Sequence, residues 1–284
     1  MNRYFQIFLK AQNELEMDRN KASQYKNAAI LADMIENTLR PVYIREMDGS
    51  HVVYSFEQHE GWEEGRIITD STSSTMILST RKKIYGFKVQ SVKKLQKYGN
   101  NDTENVLIAR GTAQKALKKH IEWDEESGQN RSDGRCSLIV HPAEFKEHSY
   151  STRLDDTARI YAYVAQLLMW NRDAYNQYCE YIKLGTITEY VVNHMNNDTF
   201  DTDVDNLELT TQNLNKLHGA LVAEIAAHRP DAVSTYKYYQ YGKWYTKNKL
   251  NFRLSVKDAF KFNEQLEEMI DHLVDYCMTN KEEH

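Results

Sequence analysis

The chain has 284 residues, of which 41% are hydrophobic and 27% charged, with a formal net charge of -5. This length allows two modest domains or one large one, and this composition predicts a globular protein with a proper core. No run approaches 18 apolar residues and no signal peptide is recognisable, so we expect a cytoplasmic protein without a membrane span. Three widely spaced cysteines predict neither a disulfide framework nor a zinc site.

Residues 2–40 carry apolar positions at helical spacing and predict one long or one broken helix that ends before Pro41. The Asp48-Gly49 pair lies between the apolar runs 42–44 and 52–56, which predicts a β-hairpin. Further β-rich runs follow at residues 66–79 and 83–92. The sequence therefore predicts an α+β N-terminal domain of unknown type over residues 1–122.

Residues 81–119 contain eleven Lys or Arg residues against two acids. Such a segment can follow a phosphate backbone, which would make the N-terminal domain DNA-binding. The alternative is an ordinary solvated surface, and the sequence leaves both interpretations open. We expect a helix over residues 103–122 within this segment, with Thr103 as its cap.

The polar, glycine-containing residues 124–135 predict a linker, which we place at 123–150. An apolar helix is expected over residues 159–170 and a second helix over 171–183. Gly185 is expected to end the second helix and to lead the chain into a strand.

Residues 186–229 predict a strand, a polar loop, a second strand and a helix. The β-branched run 186–192 ends in Asn193 and His194, and a loop rich in Asn and Asp follows. Residues 207–209 predict the second strand. Thr211 can cap a helix that runs to about residue 229, where Pro230 stops it, and apolar residues at 214, 217, 221 and 225 form its buried stripe.

This ββα arrangement predicts a site that can bind a metal ion and accept a proton. Asn215 falls in the first turn of the helix, where its side chain can point back to the end of the first strand, beside Asn193 and His194. An amide oxygen is a neutral, hard ligand that suits Mg²⁺. A neutral imidazole can accept a proton from water near pH 7.

The same stretch resembles the HNH endonucleases of the His-Me (ββα-metal) finger class, most closely those of phages and mobile introns, the homing type. The resemblance runs from about residue 160 to 218 and consists of Val-Asn-His at 192–194, Asn-Leu-Glu at 206–208, and Thr-Gln-Asn-Leu-Asn-Lys-Leu-His at 211–218. The spacing from His194 to Asn206 and the spacing from His194 to Asn215 are both similar to those of the family. The resemblance implies a nuclease domain at residues 151–230.

Carried over by position, the resemblance implies roles for individual residues. His194 would be the general base, and Asn206 would belong to the catalytic set by holding the loop. Asn193 and Asn215 would bind one Mg²⁺ or Mn²⁺ ion per active site. Many relatives have Asp where this chain has Asn193, so we expect weak metal binding without DNA. Lys216 is a candidate DNA contact, and His218 is either a further DNA contact or a histidine that flanks the core.

The remaining segment, 231–284, alternates aromatic and basic residues around Gly242, which predicts a small β-meander. Ser255 and Asp258 then have the spacing of a capping box before a helix. The module weakly resembles the AP2-like DNA-binding modules of phage HNH enzymes, and a module that only completes the core is the open alternative. Its candidate DNA contacts are Lys243, Trp244, Lys247, Lys249 and Arg253.

The resemblance thus implies a metal-dependent DNA endonuclease, encoded by a phage or mobile element, that nicks DNA or cuts both strands. We expect DNA as partner and no membrane association, and leave the oligomeric state open, with a homodimer as one option. The alternative is a protein that uses the HNH fold to bind DNA or protein, as a phage regulator or an inhibitor of host defence.

Overall fold

The computed structural model describes residues 3–46, 51–69, 75–88, 93–94, 107–110, 137–140, 157–240, 243–261, 274–275 and 277–279. The protein is mixed α+β. It divides into two compact units. Among the described residues, the first comprises those up to 110 together with 137–140 and 157–188, and the second comprises those from 189 to 279.

Two helices open the first unit: α1 spans Arg3–Asn13 and α2 spans Arg19–Thr38. The break between them follows from Asp18, whose carboxylate accepts the backbone N–H groups of Asn20 and Lys21 at 2.8 and 2.9 Å and so caps α2. Helix α2 ends shortly before Pro41. The prediction of a broken helix is confirmed.

A seven-stranded antiparallel sheet follows. Its strands are β1 (Arg40–Glu46), β2 (His51–Ser55), β3 (Glu63–Thr69), β4 (Thr75–Ser79), β5 (Ile84–Lys88), β6 (Lys93–Lys94) and β7 (Leu107–Arg110), in the spatial order β5-β4-β3-β1-β2-β7-β6. The pairing of Tyr43 with Ser55 and of Glu46 with Val52 confirms the predicted β1–β2 hairpin. One face of the sheet carries a core cluster that includes Val42, Ile67 and Leu78.

Strand β7 corrects the prediction of a helix over residues 103–122. Leu107 pairs with Tyr54 and Arg110 pairs with His51, so these residues bind the free edge of β2. A long-range partner therefore overrides the local helix propensity. The rest of the predicted helix, including Thr103, lies outside the described residues, as does most of the basic segment.

A hairpin and two helices complete the first unit. Strand β8 (Ser137–Val140) pairs with β9 (Ala158–Tyr161), helix α3 spans Ala162–Trp170 and helix α4 spans Arg172–Lys183. The predicted helix 159–170 thus begins only at Ala162, because Arg159 and Ile160 pair with β8. The predicted linker 123–150 contains β8, and its other residues lie outside the described ranges.

Helices α3 and α4 belong to the first unit, which corrects the prediction that they are part of a domain over residues 151–230. The Tyr175 hydroxyl shows why, since it donates to the Ala32 carbonyl oxygen at 3.2 Å and lies 2.9 Å from the Glu36 carboxylate, both on α2. Gly185 follows α4 with a φ of +73°, as expected for a glycine that ends a helix.

The second unit begins with a hairpin and a helix: β10 spans Tyr190–His194, β11 spans Leu207–Thr211 and α5 spans Gln212–His228. The predicted strand 186–192 begins later than expected, because residues 187–189 form a turn of 3₁₀ helix. The Thr211 hydroxyl accepts the Leu214 N–H at 3.3 Å, and the helix ends before Pro230. The predicted cap and stop of α5 are confirmed.

A long hairpin of β12 (Val233–Gln240) and β13 (Lys243–Leu250), then helix α6 (Val256–Lys261), complete the unit. The described part of this segment contains two strands that form a hairpin, so the predicted β-meander is not formed there. Ser255 Oγ accepts the Asp258 N–H at 3.1 Å and donates to its carboxylate at 2.7 Å, so Ser255 caps α6 as expected. Helix α5, the hairpin and α6 share a core of buried residues: Leu221, Val222, Ile225, Ala232, Leu250, Phe252, Leu254, Ala259 and Val274.

None of the helices in the described ranges combines the length and apolar character that crossing a bilayer requires. Cys179 and Cys277 are free thiols, and Cys136 lies outside the described residues.

Candidate active site

A cavity of about 400 Å³ lies in the second unit. Its walls come from the end of β10, the loop after it, helix α5 and strand β13. The lining residues are Val192, Asn193, His194, Asn197, Thr199, Asn215, Gly219, Val222, Ala223, Thr246, Lys247 and Asn248. Three residues predicted from sequence, His194, Asn193 and Asn215, therefore share one cavity.

The hairpin and the helix bring these three residues together. His194 pairs with Leu207 at the end of β10, and its side chain is 6% exposed at the cavity wall. The Thr211 cap starts α5 immediately after β11, which places Asn215 in its first turn. The helix thus returns to the end of the strand that carries His194, as the sequence predicted.

The loop between the two strands is built around Asn206, which is fully buried. Its Oδ1 accepts the Asn196 backbone N–H at 2.9 Å, and its Nδ2 donates to the Asn196 side-chain oxygen and to the Asp201 carbonyl oxygen, both at 2.9 Å. Its own carbonyl oxygen accepts the Met195 N–H at 2.8 Å. Asn206 therefore holds the residues that follow His194, as predicted, and it does not line the cavity.

The aspartates of this loop bind the protein itself. Asp198, Asp201 and Asp203 each accept a backbone N–H from a little further along the loop, at 3.0 to 3.2 Å. Asp198 also forms an ion pair with Lys249 at 3.0 Å, and Asp203 forms one with Arg253 at 3.3 Å. These carboxylates consequently support the loop and the chain that follows β12.

Asn193 contacts a partner that the sequence analysis did not predict. Its Nδ2 donates to Glu208 Oε1 at 2.9 Å, and the same oxygen accepts the Val256 N–H at 2.7 Å. Burial raises the pKa of Glu208, and these two hydrogen bonds act in the opposite direction. In the sequence, Glu208 is visible only as one acidic residue between Leu207 and Leu209. Without the register of the two strands, nothing indicates that Asn193 is its partner.

The structure removes His218 from the predicted DNA contacts. The residue is 1% exposed, and its Nε2 lies 3.2 Å from the Met195 carbonyl oxygen and 3.0 Å from that of Leu254. Because carbonyl oxygens only accept, this nitrogen carries a hydrogen. Burial lowers the pKa of His218. Its role is to join the loop to the chain before α6.

The remaining predicted DNA contacts differ in their surroundings. Lys216 and Lys243 are exposed, Trp244 is half-buried and Lys247 lines the cavity. Lys249 and Arg253 instead form the ion pairs with Asp198 and Asp203.

One face of the β12–β13 hairpin meets the loop of the cavity. Alternation along the strands places Lys243, Lys247 and Lys249 on this face, together with Tyr236. The Tyr236 hydroxyl donates to the Asn197 carbonyl oxygen at 3.3 Å. The lysines of this face therefore lie on the side of the hairpin that is turned towards the cavity loop.

The side chains at the cavity offer a hard cation oxygen ligands that carry no formal charge. Two neutral amides, those of Asn193 and Asn215, can supply oxygen ligands, and His194 supplies an imidazole. Within the described ranges, no three His, Cys, Asp or Glu side chains gather into a metal-binding group. Amides are outside that set of residue types, and Asn193 and Asn215 remain the candidate ligands named above.

Comparison with known proteins gives no relative from which a function could be transferred. No family model matches the chain, and neither the curated proteins nor the solved structures include a match.

Proposed function

We propose that this protein is a metal-dependent DNA endonuclease of the HNH type. The observation that carries the proposal is that His194, Asn193 and Asn215 line one cavity, although Asn215 belongs to a different element and lies well beyond the other two in the chain. The buried Asn206 and the hairpin-helix order agree with the ββα-metal finger that the motif resembles. The finger assignment is part of the same proposal.

His194 acts as the general base in the proposed reaction. Its imidazole accepts a proton from a water molecule, whose oxygen then bonds to the scissile phosphorus. The bond from phosphorus to the 3′ oxygen breaks, and that oxygen takes a proton from solvent. The products are a 5′-phosphate and a 3′-hydroxyl. Asn206 supports this step indirectly, because it fixes the backbone of Met195 and Asn196 directly after the base.

Asn193 and Asn215 are the residues that would hold one Mg²⁺ or Mn²⁺ ion. A bound cation supplies positive charge that stabilises the charge developing on the phosphate oxygens and on the departing oxygen. The two amides bring no formal charge, so phosphate oxygens are expected to contribute much of the ion's binding. The imidazole makes the nucleophile, and one ion per site is sufficient.

DNA is the proposed substrate because basic residues accompany the cavity. Lys247 lines it, and Lys243 is exposed on the same face of the β12–β13 hairpin. Tyr236, which pairs with Lys247, and Tyr245 lie on that face as well. Local cations of this kind bind phosphates even in a chain of net charge -5. Lys216, at the start of α5, is also exposed.

Digestion of supercoiled plasmid with Mg²⁺ or Mn²⁺ tests the proposal. We expect wild-type protein to nick or linearise the plasmid, and EDTA to stop the reaction. His194→Ala should lower the rate at least about 100-fold, since general bases contribute factors of this size, while DNA affinity stays within a few-fold. His228→Ala is the matched control, because His228 is exposed at the far end of α5.

Two results would contradict the proposal. Plasmid and genomic DNA that stay intact across metals, salts and DNA forms would favour a protein that binds DNA or protein without cleaving it. Cleavage that survives in His194→Ala would indicate a contaminating nuclease or a different site.

A further inference from the structure

Glu208 is an acidic side chain that contacts a proposed metal ligand directly. It lies opposite Asn193 in the antiparallel register of β10 and β11, and the Asn193 Nδ2 donates to its Oε1 at 2.9 Å. The Val256 N–H donates to the same oxygen at 2.7 Å, which holds the carboxylate in place. Glu208 itself is not among the residues that line the cavity.

This contact determines which end of the Asn193 amide is available for a ligand. The Glu208 Oε1 accepts the Val256 N–H, so it carries no proton and accepts from Asn193 as well, which requires the amide to turn its NH₂ group towards Glu208. The amide oxygen is the other branch of the same planar group, and Asn193 lines the cavity. A rotated amide would direct an oxygen at the carboxylate and present NH₂, which cannot bind a cation, to the cavity.

We propose that Glu208 is a positioning residue of this site: its carboxylate fixes the Asn193 amide with the oxygen towards the cavity and adds the negative charge that an Asn ligand lacks. The inference rests on the proposed nuclease function and extends it by one residue. Negative charge beside a neutral ligand strengthens the ligand's electron donation to a cation, and such outer partners affect metal affinity about 10- to 100-fold when removed.

A purely structural role is the competing explanation, because the Val256 contact also ties β11 to the start of α6. The two roles differ in what Glu208→Gln changes. Glutamine keeps the size of the side chain and an oxygen that accepts both hydrogen bonds, but it removes the charge. The proposed role, in which the carboxylate charge acts through Asn193, therefore predicts weaker cation binding in a folded protein, and a structural role predicts unchanged cation binding.

The test measures Mn²⁺ binding by electron paramagnetic resonance in the His194→Ala background, which keeps DNA intact. Each protein is titrated with and without a short duplex, and the duplex alone serves as the blank. We expect Glu208→Gln to weaken Mn²⁺ binding about tenfold, with a circular dichroism spectrum and melting temperature like those of the parent. Glu224→Gln is the matched control, since Glu224 is an exposed carboxylate on α5.

A charge exchange gives an independent readout. In Asn193→Asp alone, two carboxylates face each other across the strands, and we expect a loss of stability. In the double variant Asn193→Asp with Glu208→Gln, the introduced glutamine amide can donate to the new carboxylate, so the pair keeps one hydrogen bond and one charge. We expect the double variant to recover Mn²⁺ binding towards that of the parent.

The possible outcomes separate this inference from the proposed function. Plasmid cleavage by wild type, with Mn²⁺ binding unchanged by Glu208→Gln, overturns the role of Glu208 alone. A double variant that binds Mn²⁺ no better than Glu208→Gln overturns it as well. If the His194→Ala parent does not bind Mn²⁺ and the wild-type protein does not cleave DNA, both proposals are overturned.

Discussion

The side chain of Asn206 is hydrogen-bonded to Asn196 in both directions. Its Oδ1 accepts the Asn196 backbone N–H and its Nδ2 donates to the Asn196 Oδ1, both at 2.9 Å. The second Nδ2 hydrogen bond goes to the Asp201 carbonyl oxygen. One buried amide thus fixes both ends of the turn that follows the proposed general base, His194.

We expect Asn206→Ala to loosen this loop before it unfolds the unit. The substitution leaves the Asn196 N–H and the Asp201 carbonyl without their partner, at about 1 to 3 kcal/mol for each buried group. Hydrogen–deuterium exchange of peptides covering residues 195–206 should become faster, and cleavage should fall with it. Asn213→Ala, at an exposed position on α5, should change neither. Unchanged exchange in Asn206→Ala would show that the loop does not depend on this side chain.

Buried His218 predicts a stability that falls in mild acid. Its pKa in the folded protein is lowered by burial from the ordinary value of about 6.5. Below pH 6.5 the unfolded chain binds a proton that folded His218 does not, so the stability present above pH 6.5 is lost as the pH falls towards the folded pKa. Each tenfold difference in proton affinity between the folded and the unfolded state corresponds to about 1.4 kcal/mol in the free energy of unfolding.

Glutamine at this position should reduce that pH dependence, because Gln can donate to the Met195 and Leu254 carbonyl oxygens without titrating. The measurement is the midpoint of urea unfolding at neutral and at mildly acidic pH, in wild type, His218→Gln and the exposed control His228→Gln. An equal loss of stability on acidification in wild type and His218→Gln would rule out His218 as its source.

The β12–β13 hairpin predicts which cations matter most for DNA affinity. Lys243 is exposed and Lys247 lines the cavity, so alanine at either position should weaken DNA binding and lower the slope of log affinity against log salt by about 1. Lys249 already pairs with Asp198, so its substitution should have a smaller effect than that of the exposed Lys243. Fluorescence anisotropy over a salt series gives both quantities.

Lys237→Ala is the control for this series. Lys237 is exposed on the same hairpin, but strand alternation places it on the face opposite Lys247. An equal loss of DNA affinity for Lys237→Ala and Lys247→Ala would contradict a specific face, and would indicate only an effect of net charge.

Two glycines should respond to alanine in opposite ways. A Cβ at Gly65, on β3, would overlap the buried Ile44 side chain and lie 3.1 Å from the Ser79 carbonyl oxygen. We expect Gly65→Ala to destabilise the first unit by about 1 to 3 kcal/mol through overpacking. At Gly219, on α5, no atom outside the adjoining residues and the helix's own backbone lies within 4 Å of the added carbon, and Gly219→Ala should stabilise the helix by up to about 1 kcal/mol. Thermal unfolding of the two variants would contradict this account if both shift in the same direction.

Elements with local signals could be predicted from the sequence. The Thr211 cap and Pro230 define helix α5, the Asp48-Gly49 pair lies between the two strands of the β1–β2 hairpin, and Ser255 with Asp258 starts α6. The sequence also allowed the prediction that His194, Asn193 and Asn215 lie close together. A helix that directly follows a hairpin has few ways to pack, and these bring its first turn to the end of the first strand. These features depend on neighbours within a few residues or on a short, regular connection.

Features that depend on a distant partner could not be predicted from the sequence. Residues 107–110 are a strand because the edge of β2, far away in the chain, offers them hydrogen bonds, and residues 158–161 pair with β8 instead of extending α3. His218 has the spacing of a surface residue on a helix, yet two carbonyl groups from other segments enclose it. The contact between Asn193 and Glu208 follows from a strand register that the intervening loop does not reveal in sequence. Hydrogen-bond partners across a sheet and the burial of a polar side chain are set by the packed chain, and local propensity contains no information about either.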